Sequence, residues 1–337
     1  MLHIGKLKLN SKVILAPMAG ITGLPYRLVS RSLGCAMAYL EMINARSLSY
    51  ETKKTMIMLK TCAEDRPLGV QILGKEEKYL LRALDKLKDY DYDLLDFNCA
   101  CPQKKITGRG TGAALLKTPE KICELLKILR KNCTKPLTVK LRLGWDSGQK
   151  AADIARYAED AGIDAVCVHG RTKVQGYSGA VDYSALAKIK KAVSIPLIAS
   201  GDMFTPALAA KMINETGADA VMAARGSLGN PWIFKAVNEY LDKGREPDLP
   251  SLAELISVMQ DHLQQNVACF GESEGVKKFR KFFIWYTRGF GRTKDLRNSV
   301  SGLKTQKDMA LHISIFEKKA LDLRRTINYP AERSTSF

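Results

Sequence analysis

The chain contains no run of about 18 apolar residues, the length a helix needs to cross a bilayer. Its first residues, Met1 to Lys8, lack the apolar stretch of a secretory signal. Eight cysteines, at positions 35, 62, 99, 101, 123, 133, 167 and 269, form no CxxC pair and no pattern with spaced histidines. That argues against structural zinc, and the sequence reads as a reduced, cytoplasmic protein with no metal and no membrane anchor. Histidine is scarce, with four in 337 residues, and acids are outnumbered, 35 Asp and Glu against 53 Lys and Arg. A net charge of +18 says little about fold, but it makes polyanions the expected partner class.

What is present is a repeated alternation. Eight short apolar runs each end in turn-prone residues: Lys12–Met18, Ala36–Met42, Pro67–Gly74, Leu94–Ala100, Leu137–Gly144, Asp164–Gly170, Pro196–Asp202 and Ala220–Gly226. Segments of helical period lie between them, among them Glu77–Lys88, Pro119–Lys131, Ala151–Ala161 and Pro206–Glu215. Thr118-Pro119 and Thr205-Pro206 each offer an N-cap followed by proline at the first helical position. Strands alternating with helices predict a parallel sheet, and eight units predict closure into a (β/α)8 TIM barrel. The longest gap follows the fourth run, so an extended loop is expected there. The barrel takes residues 1–240, and the polar stretch from Leu241 to Pro250 reads as a linker. Ser251 with Glu254 forms a candidate capping box opening a small C-terminal helical domain, 251–328, followed by a tail, 329–337.

Between Gly275 and Lys307 the helical domain carries ten Lys or Arg and one acid, Asp295. Phe279, Phe282, Phe283, Trp285, Tyr286 and Phe290 are interleaved with them. Aromatics packing inward and bases facing water explain the rings, but not the near absence of acids. A surface that tracks phosphates explains both, so this domain is expected to bind RNA.

In a parallel barrel the chemistry gathers at the C-terminal ends of the strands. Those ends carry Ala16-Pro17-Met18, Gln71, Asn98-Cys99-Ala100-Cys101, Lys140 with Arg142, His169-Gly170-Arg171, Ser200-Gly201-Asp202 and Ala224-Arg225-Gly226. Polar groups at buried strand ends need partners, so their convergence suggests a polar ligand above the barrel. Gly201 and Gly226, in the last two strands, suit close approach to a phosphate. Lys140 has two readings, an ion pair with Asp96 or Asp202, or a cation awaiting a ligand anion. Cys99 alternates with the apolar face and reads as packing. Cys101 opens the long loop beside Lys104, Lys105 and Arg109, and a thiol on an electropositive loop is positioned for chemistry. Gly108 to Gly112 reads as a flexible turn within that loop.

These segments together resemble the bacterial tRNA-dihydrouridine synthases over nearly the whole chain. The resemblance is carried by Ala16-Pro17-Met18-Ala19-Gly20, Leu40-Glu41-Met42, Val70-Gln71-Ile72-Leu73-Gly74, and Asn98-Cys99-Ala100-Cys101-Pro102-Gln103-Lys104-Lys105. Val139-Lys140-Leu141-Arg142, Val168-His169-Gly170-Arg171-Thr172, Arg225-Gly226 and Arg280-Lys281 with Trp285-Tyr286 extend it. The resemblance implies FMN as cofactor, NADPH or NADH as reductant, tRNA as partner and a monomeric enzyme. It implies Cys101 as the proton donor. Around FMN it implies Ala16, Pro17, Met18, Gln71, Lys140 and His169, with Ser200, Gly201, Asp202, Ala224, Arg225 and Gly226 at its phosphate. It implies Asn98, Lys104, Arg171, Arg280 and Lys281 as residues that meet the RNA. Ala100 and Ala224 stand where the family has glycine, Ser200 where it has asparagine, and Gly23 where an aspartate is common. Ala224 then requires an ordinary backbone conformation. Alternatives are an FMN-dependent dihydroorotate- or dihydropyrimidine-type dehydrogenase, which has little use for a basic tail, a phosphate-binding isomerase barrel, and a non-catalytic RNA-binding protein on this scaffold.

Overall fold

The computed structural model describes residues 1–147 and 150–322. Eight parallel strands form the barrel: β1 (Val13–Leu15), β2 (Ala38–Tyr39), β3 (Leu68–Leu73), β4 (Leu94–Asn98), β5 (Leu137–Arg142), β6 (Ala165–His169), β7 (Leu197–Ser200) and β8 (Ala220–Ala223). Each pairs with its sequence neighbour from β2 to β8, and β8 pairs with β1. The ring closes where Leu15 N–H donates to the Met37 carbonyl at 3.0 Å. All eight expected runs contain a strand. The second is the shortest, because the chain leaves the ladder after Tyr39 and rejoins β3 only at Ile43–Asn44.

Alternation along the strands separates two cores. Val13, Leu15, Val70, Leu95, Phe97 and Cys99 face the helices. Ile14, Met37, Tyr39, Leu94, Cys167, Ile198 and Met222 fill the interior. An N-terminal hairpin, Leu2–Ile4 with Leu7–Leu9, adds Leu2, Ile4 and Leu9 to that inner cluster and plugs the barrel end away from the strand C-termini. Arms of only three residues carry no periodicity from which it could be expected.

Helix ends follow their caps. The side chain of Thr205 accepts from Leu208 N–H at 3.2 Å, and Ser251 and Glu254 form the expected capping box. Thr118 does not cap its helix; its hydroxyl turns back toward the Leu115 carbonyl, and Pro119 starts the helix without it. The long loop after β4 is not irregular throughout. It holds a short helix, Lys104–Thr107, and a 3-10 segment, Gly112–Lys117. The helix Ile233–Lys243 also runs into the expected linker, ending at left-handed Gly244.

The C-terminal helices Leu252–Phe270, Glu272–Tyr286 and Gln306–Asp322 join the outer core. Residues 323–337, the end of the expected helical domain and its tail, lie outside the described residues. Tyr26 of the first barrel helix stacks on Phe282 at 5.1 Å, and Phe282 lies 4.3 Å from the His262 ring. Phe279, Phe282, Phe283, Tyr286 and Phe290 are buried, so these rings hold helices together rather than offering a stacking surface. Lys277, Arg288, Arg292, Lys294, Lys304 and Lys307 are exposed around them. Among the described residues no helix is long and apolar enough to cross a membrane, and no group of His, Cys, Asp and Glu could hold a metal ion.

Candidate active site

The strand C-termini open onto a cavity of about 350 Å3. Ala16, Pro17 and Met18 line it from the end of β1, Gln71 from β3, Asn98 and Cys101 from the end of β4, Lys140 from β5 and His169 from β6. Ser200, Gly201 and Asp202 line it after β7, and Ala224, Arg225 and Gly226 after β8. Seven separate stretches of sequence therefore converge on one space. Lys104, Arg171, Arg280 and Lys281 are not part of its wall. Lys104 starts the short exposed helix beyond Cys101. Arg280 donates to the Leu303 carbonyl, and Lys281 to the Gly20 carbonyl, so both half-buried side chains are held within the protein.

Beneath the cavity lies a continuous set of hydrogen bonds. Thr138 donates to Asp96 Oδ1 at 2.6 Å, and Gln71 Nε2 to Asp96 Oδ2 at 2.7 Å. Asn98 Nδ2 donates to Gln71 Oε1 at 2.7 Å. Asn98 Oδ1 accepts from the N–H groups of Ala100 and Cys101, at 3.1 and 3.0 Å. Both carboxylates suggested as partners for Lys140 are engaged elsewhere, Asp96 here and Asp202 with two arginines. Among the described residues Lys140 makes no ion pair, and burial pushes its ammonium below the usual lysine value. The Asp96 carboxylate acts on Lys140 through space without pairing with it, which leaves the ammonium able to meet an anion in the cavity.

Cys101 is half-buried, and burial raises its thiol above the ordinary value, with Arg142 opposing. The thiol therefore stays protonated at neutral pH, as a proton donor must. The loop's lysines do not make it a thiolate; Arg142 is the cation that reaches it. Cys99, fully buried among apolar side chains, is packing. His169 is held well below the usual imidazole value, first by burial and then by Arg142, Lys140, Arg171 and Arg225. Its neutral ring accepts from the Arg171 guanidinium at Nε2, 3.4 Å away, which puts the ring proton on Nδ1.

Arg171 is 1% exposed and serves the scaffold. It forms an ion pair with Asp202 and donates to the Ser178 and Gly179 carbonyls. Asp202 also pairs with Arg225 at 2.7 Å, so its carboxylate orients two arginines at the cavity wall. Gly201 has φ +133°, and a Cβ there would lie 2.7 Å from Val181 Cγ2 and 3.1 Å from the His169 ring. A Cβ on Gly226 would overlap the Met203 carbonyl. Both turns thus need glycine for close packing, while Ala224 between them, at φ −120° and ψ −98°, has the negative φ open to alanine but not the ordinary helical or extended conformation that was expected. Replacing Gly226 by alanine is expected to cost about 3 kcal/mol in urea unfolding, since backbone must move. A midpoint within about 0.5 kcal/mol of the parent protein would contradict this.

Two residues of the site escaped the sequence. Arg142, noted only as a β5 residue, donates to the carbonyls of Ala100 (2.9 Å), Thr172 (2.9 Å) and Gly176 (2.7 Å), tying the Cys101 loop to the loop after β6. Its alternation with Lys140 on β5 was the available signal. Tyr177 lines the cavity, with the Arg225 guanidinium 4.8 Å and the Arg142 guanidinium 5.4 Å from its ring centre. It lies in an aperiodic loop and carried no signal.

Comparison with known proteins agrees with this architecture. The family model described as dihydrouridine synthase (Dus) matches residues 14–323. The tRNA-dihydrouridine synthase B of Xanthomonas axonopodis pv. citri is 38% identical over 305 residues, covering 90% of this chain and 92% of that protein. A probable tRNA-dihydrouridine synthase of Rickettsia prowazekii is 33% identical over 330 residues, 96% of this chain and all of that protein. Among solved structures, histamine dehydrogenase from Rhizobium sp. 4-9 superposes with a TM-score of 0.56 at 13% identity over 78% of this chain. The chain spans about half the length of that structure, 50%, and the likeness is one of fold alone. The match along residues 14–323 and the identity to full-length relatives lead to one conclusion: the chain belongs to the dihydrouridine synthase family.

Proposed function

We propose that this protein is a flavin-dependent oxidoreductase, a tRNA-dihydrouridine synthase that reduces specific uridines of tRNA to 5,6-dihydrouridine. The observation that carries it is the shared cavity of a protonated half-buried thiol, Cys101, and an ammonium in no ion pair among the described residues, Lys140. The family and the names of the relatives supply the substrate class.

The cavity residues suit FMN. Lys140 offers the unpaired cation that an electron-rich ring system requires. The turns at Gly201 and Gly226 bring backbone close to the cavity, with Arg225 beside them as the charge for a phosphate. Ala16, Pro17 and Met18 contribute a mostly apolar wall, and Gln71 has a second amide hydrogen free of Asp96. FMN, when bound, supplies hydride transfer to C6 of the uracil ring and is recharged by NADPH or NADH. Cys101 gives its proton to C5 and is reprotonated from water. Asn98, with one amide hydrogen left over from Gln71, donates to the uracil, and His169 stays neutral because burial among cations forbids a further charge.

A uridine stacked in a tRNA loop must be flipped out to reach this depth. We assign residues 1–240 to the reaction and 251–328 to gripping phosphates, through the exposed bases of the helical region and Lys104 near the mouth. Arg171, Arg280 and Lys281 act from behind, holding the turns and helices that face the RNA. The enzyme works as a monomer in the cytoplasm.

Incubation with NADPH and unmodified tRNA, followed by nucleoside mass spectrometry, tests the reading. Uridines gaining two hydrogens support it; a yellow protein that oxidises NADPH yet leaves tRNA unchanged moves it toward a small-pyrimidine dehydrogenase. Lys140→Met is expected to weaken FMN binding about tenfold or more, one charged hydrogen bond's worth. Equal FMN affinity in a fluorescence titration would remove Lys140 from the cofactor site.

A further inference from the structure

The hydrogen bonds beneath the cavity run in one direction, and Asp96 sets it. Asp96 is 1% exposed, on the inner face of β4. A carboxylate only accepts, so Gln71 turns its NH2 group to Oδ2 and Thr138 its hydroxyl to Oδ1. Gln71 Oε1 is thereby left for Asn98 Nδ2, and Asn98 Oδ1 for the N–H groups of Ala100 and Cys101. One end of the series is backbone that only donates, the other a carboxylate that only accepts. No other orientation of the two amides satisfies every bond.

We propose that Asp96 is a positioning residue for Cys101: through Gln71 and Asn98 its carboxylate fixes the backbone that presents the thiol. The proposal deepens, and rests on, the reading of Cys101 as proton donor. Asp96 does not touch the cavity wall, whereas Gln71, Asn98 and Cys101 all do. Its effect must therefore pass through them.

Its charge also has a titration range. Burial raises the carboxyl to about 6, with Thr138, Gln71 and the charge of Lys140 pulling down. The titratable groups around it are Lys140 from β5, Cys167 from β6, Tyr39 from β2 and Cys99 just beyond β4; burial pushes Cys167, Tyr39 and Cys99 up, so all three stay neutral. As pH falls through about 6, one Asp96 oxygen becomes a donor in a place built for acceptors, and the hold on the loop weakens. Above that pH the hold is complete.

The test uses the FMN-loaded enzyme with Asp96→Leu and Asp96→Asn. Four quantities are read: amide hydrogen exchange in peptides spanning residues 98–113, the alkylation rate of Cys101 resolved by peptide mapping, and kcat and KM for tRNA across pH. Asp96→Leu is expected to speed exchange and alkylation at Cys101 and to lower kcat about ten- to a hundredfold, the scale of a misplaced catalytic group. KM for tRNA should change far less than kcat, because the phosphate contacts that carry most of the RNA affinity lie away from this series. Asp96→Asn can still accept from Gln71 and donate to Thr138, so it should keep more turnover than the leucine variant and lose the acid limb near pH 6.

Exchange and alkylation at Cys101 unchanged in both variants overturn the proposal, whatever happens to turnover. Should Asp96→Leu not fold, Asp96→Asn decides alone, and an acid limb retained near its parent position overturns it. Cys101→Ala is assayed in parallel. Dihydrouridine made by that variant ends the proton-donor reading, while exchange around residue 101 still reports separately on Asp96.

Discussion

Cys101→Ala is expected to lower dihydrouridine formation by about 10²–10⁴-fold, the usual contribution of a positioned general acid. FMN content and the rate of NADPH oxidation should stay near those of the parent, because the cavity's cations and glycine turns are untouched. The comparison is made by nucleoside mass spectrometry on tRNA and by single-turnover reduction of the bound flavin. The pH dependence has a definite sign. Burial raises the thiol above its ordinary value, so the donor is present at neutral pH and is lost as pH climbs through that raised value. An alkaline limb lying below the ordinary thiol range, about 8.5, would contradict the structural account. Cys101→Ala with undiminished turnover would exclude the residue altogether. Cys99 serves as a control of the opposite kind: it lies on the outer face of β4 in the apolar core, so its truncation should act on stability and not on the proton step.

The second large effect concerns a residue far from the chemistry. Arg27→Met is expected to cost about 3–5 kcal/mol of stability in urea unfolding, the loss typical when one partner of a buried ion pair is removed. Arg27 and Asp65 are both fully buried, paired at 2.6 Å, and Arg27 also donates to the Thr22 and Lys60 carbonyls at 2.6 and 2.8 Å. Removal leaves the Asp65 charge in apolar surroundings, with Arg31 at 3.6 Å and the Thr61 hydroxyl at 3.1 Å as remaining partners. Replacing both residues, Arg27→Met with Asp65→Leu, should recover part of the loss, since the Asp65 charge is no longer stranded and Arg31 keeps the Cys35 and Pro67 carbonyls. A single variant within about 1 kcal/mol of the parent would sink this account. The site would feel the change too. Thr22, whose carbonyl Arg27 holds, accepts from Met18 N–H at 3.1 Å, and Met18 lines the cavity. Weaker FMN retention in the stabilised double variant would show that link.

How much of this was legible beforehand follows from the kind of signal involved. The eight strands were visible because short apolar runs, closed by turn residues, recur along the chain, and the capping box at Ser251 was visible because its two bonds join residues three apart. The N-terminal plug was invisible, since three-residue arms carry no period. Thr118 had the right neighbours for a cap, but its hydroxyl found a carbonyl closer in the fold.

The candidate site divides along the same line. Residues at strand ends were found because barrel geometry dictates where strand ends meet, and fourteen of the eighteen named residues line the cavity. The four others show what composition cannot resolve: a basic residue in the right segment can face a ligand or brace the scaffold. Arg171, Arg280 and Lys281 brace it, because a carboxylate or an unpaired carbonyl lies within reach of each guanidinium or ammonium.

The sequence by itself determined the barrel, the convergence of its strand ends and the thiol that could act there, since each depends on local periodicity or on a fixed place in a repeating unit. Only the tertiary structure decided which charges are paired and which are free. Lys140 is unpaired because Asp96 and Asp202 are taken by Gln71, Thr138, Arg171 and Arg225, partners between 25 and 42 residues from Asp96 and 23 and 31 from Asp202 along the chain. Competition for a carboxylate is settled by distance in space, and no spacing in the sequence encodes it.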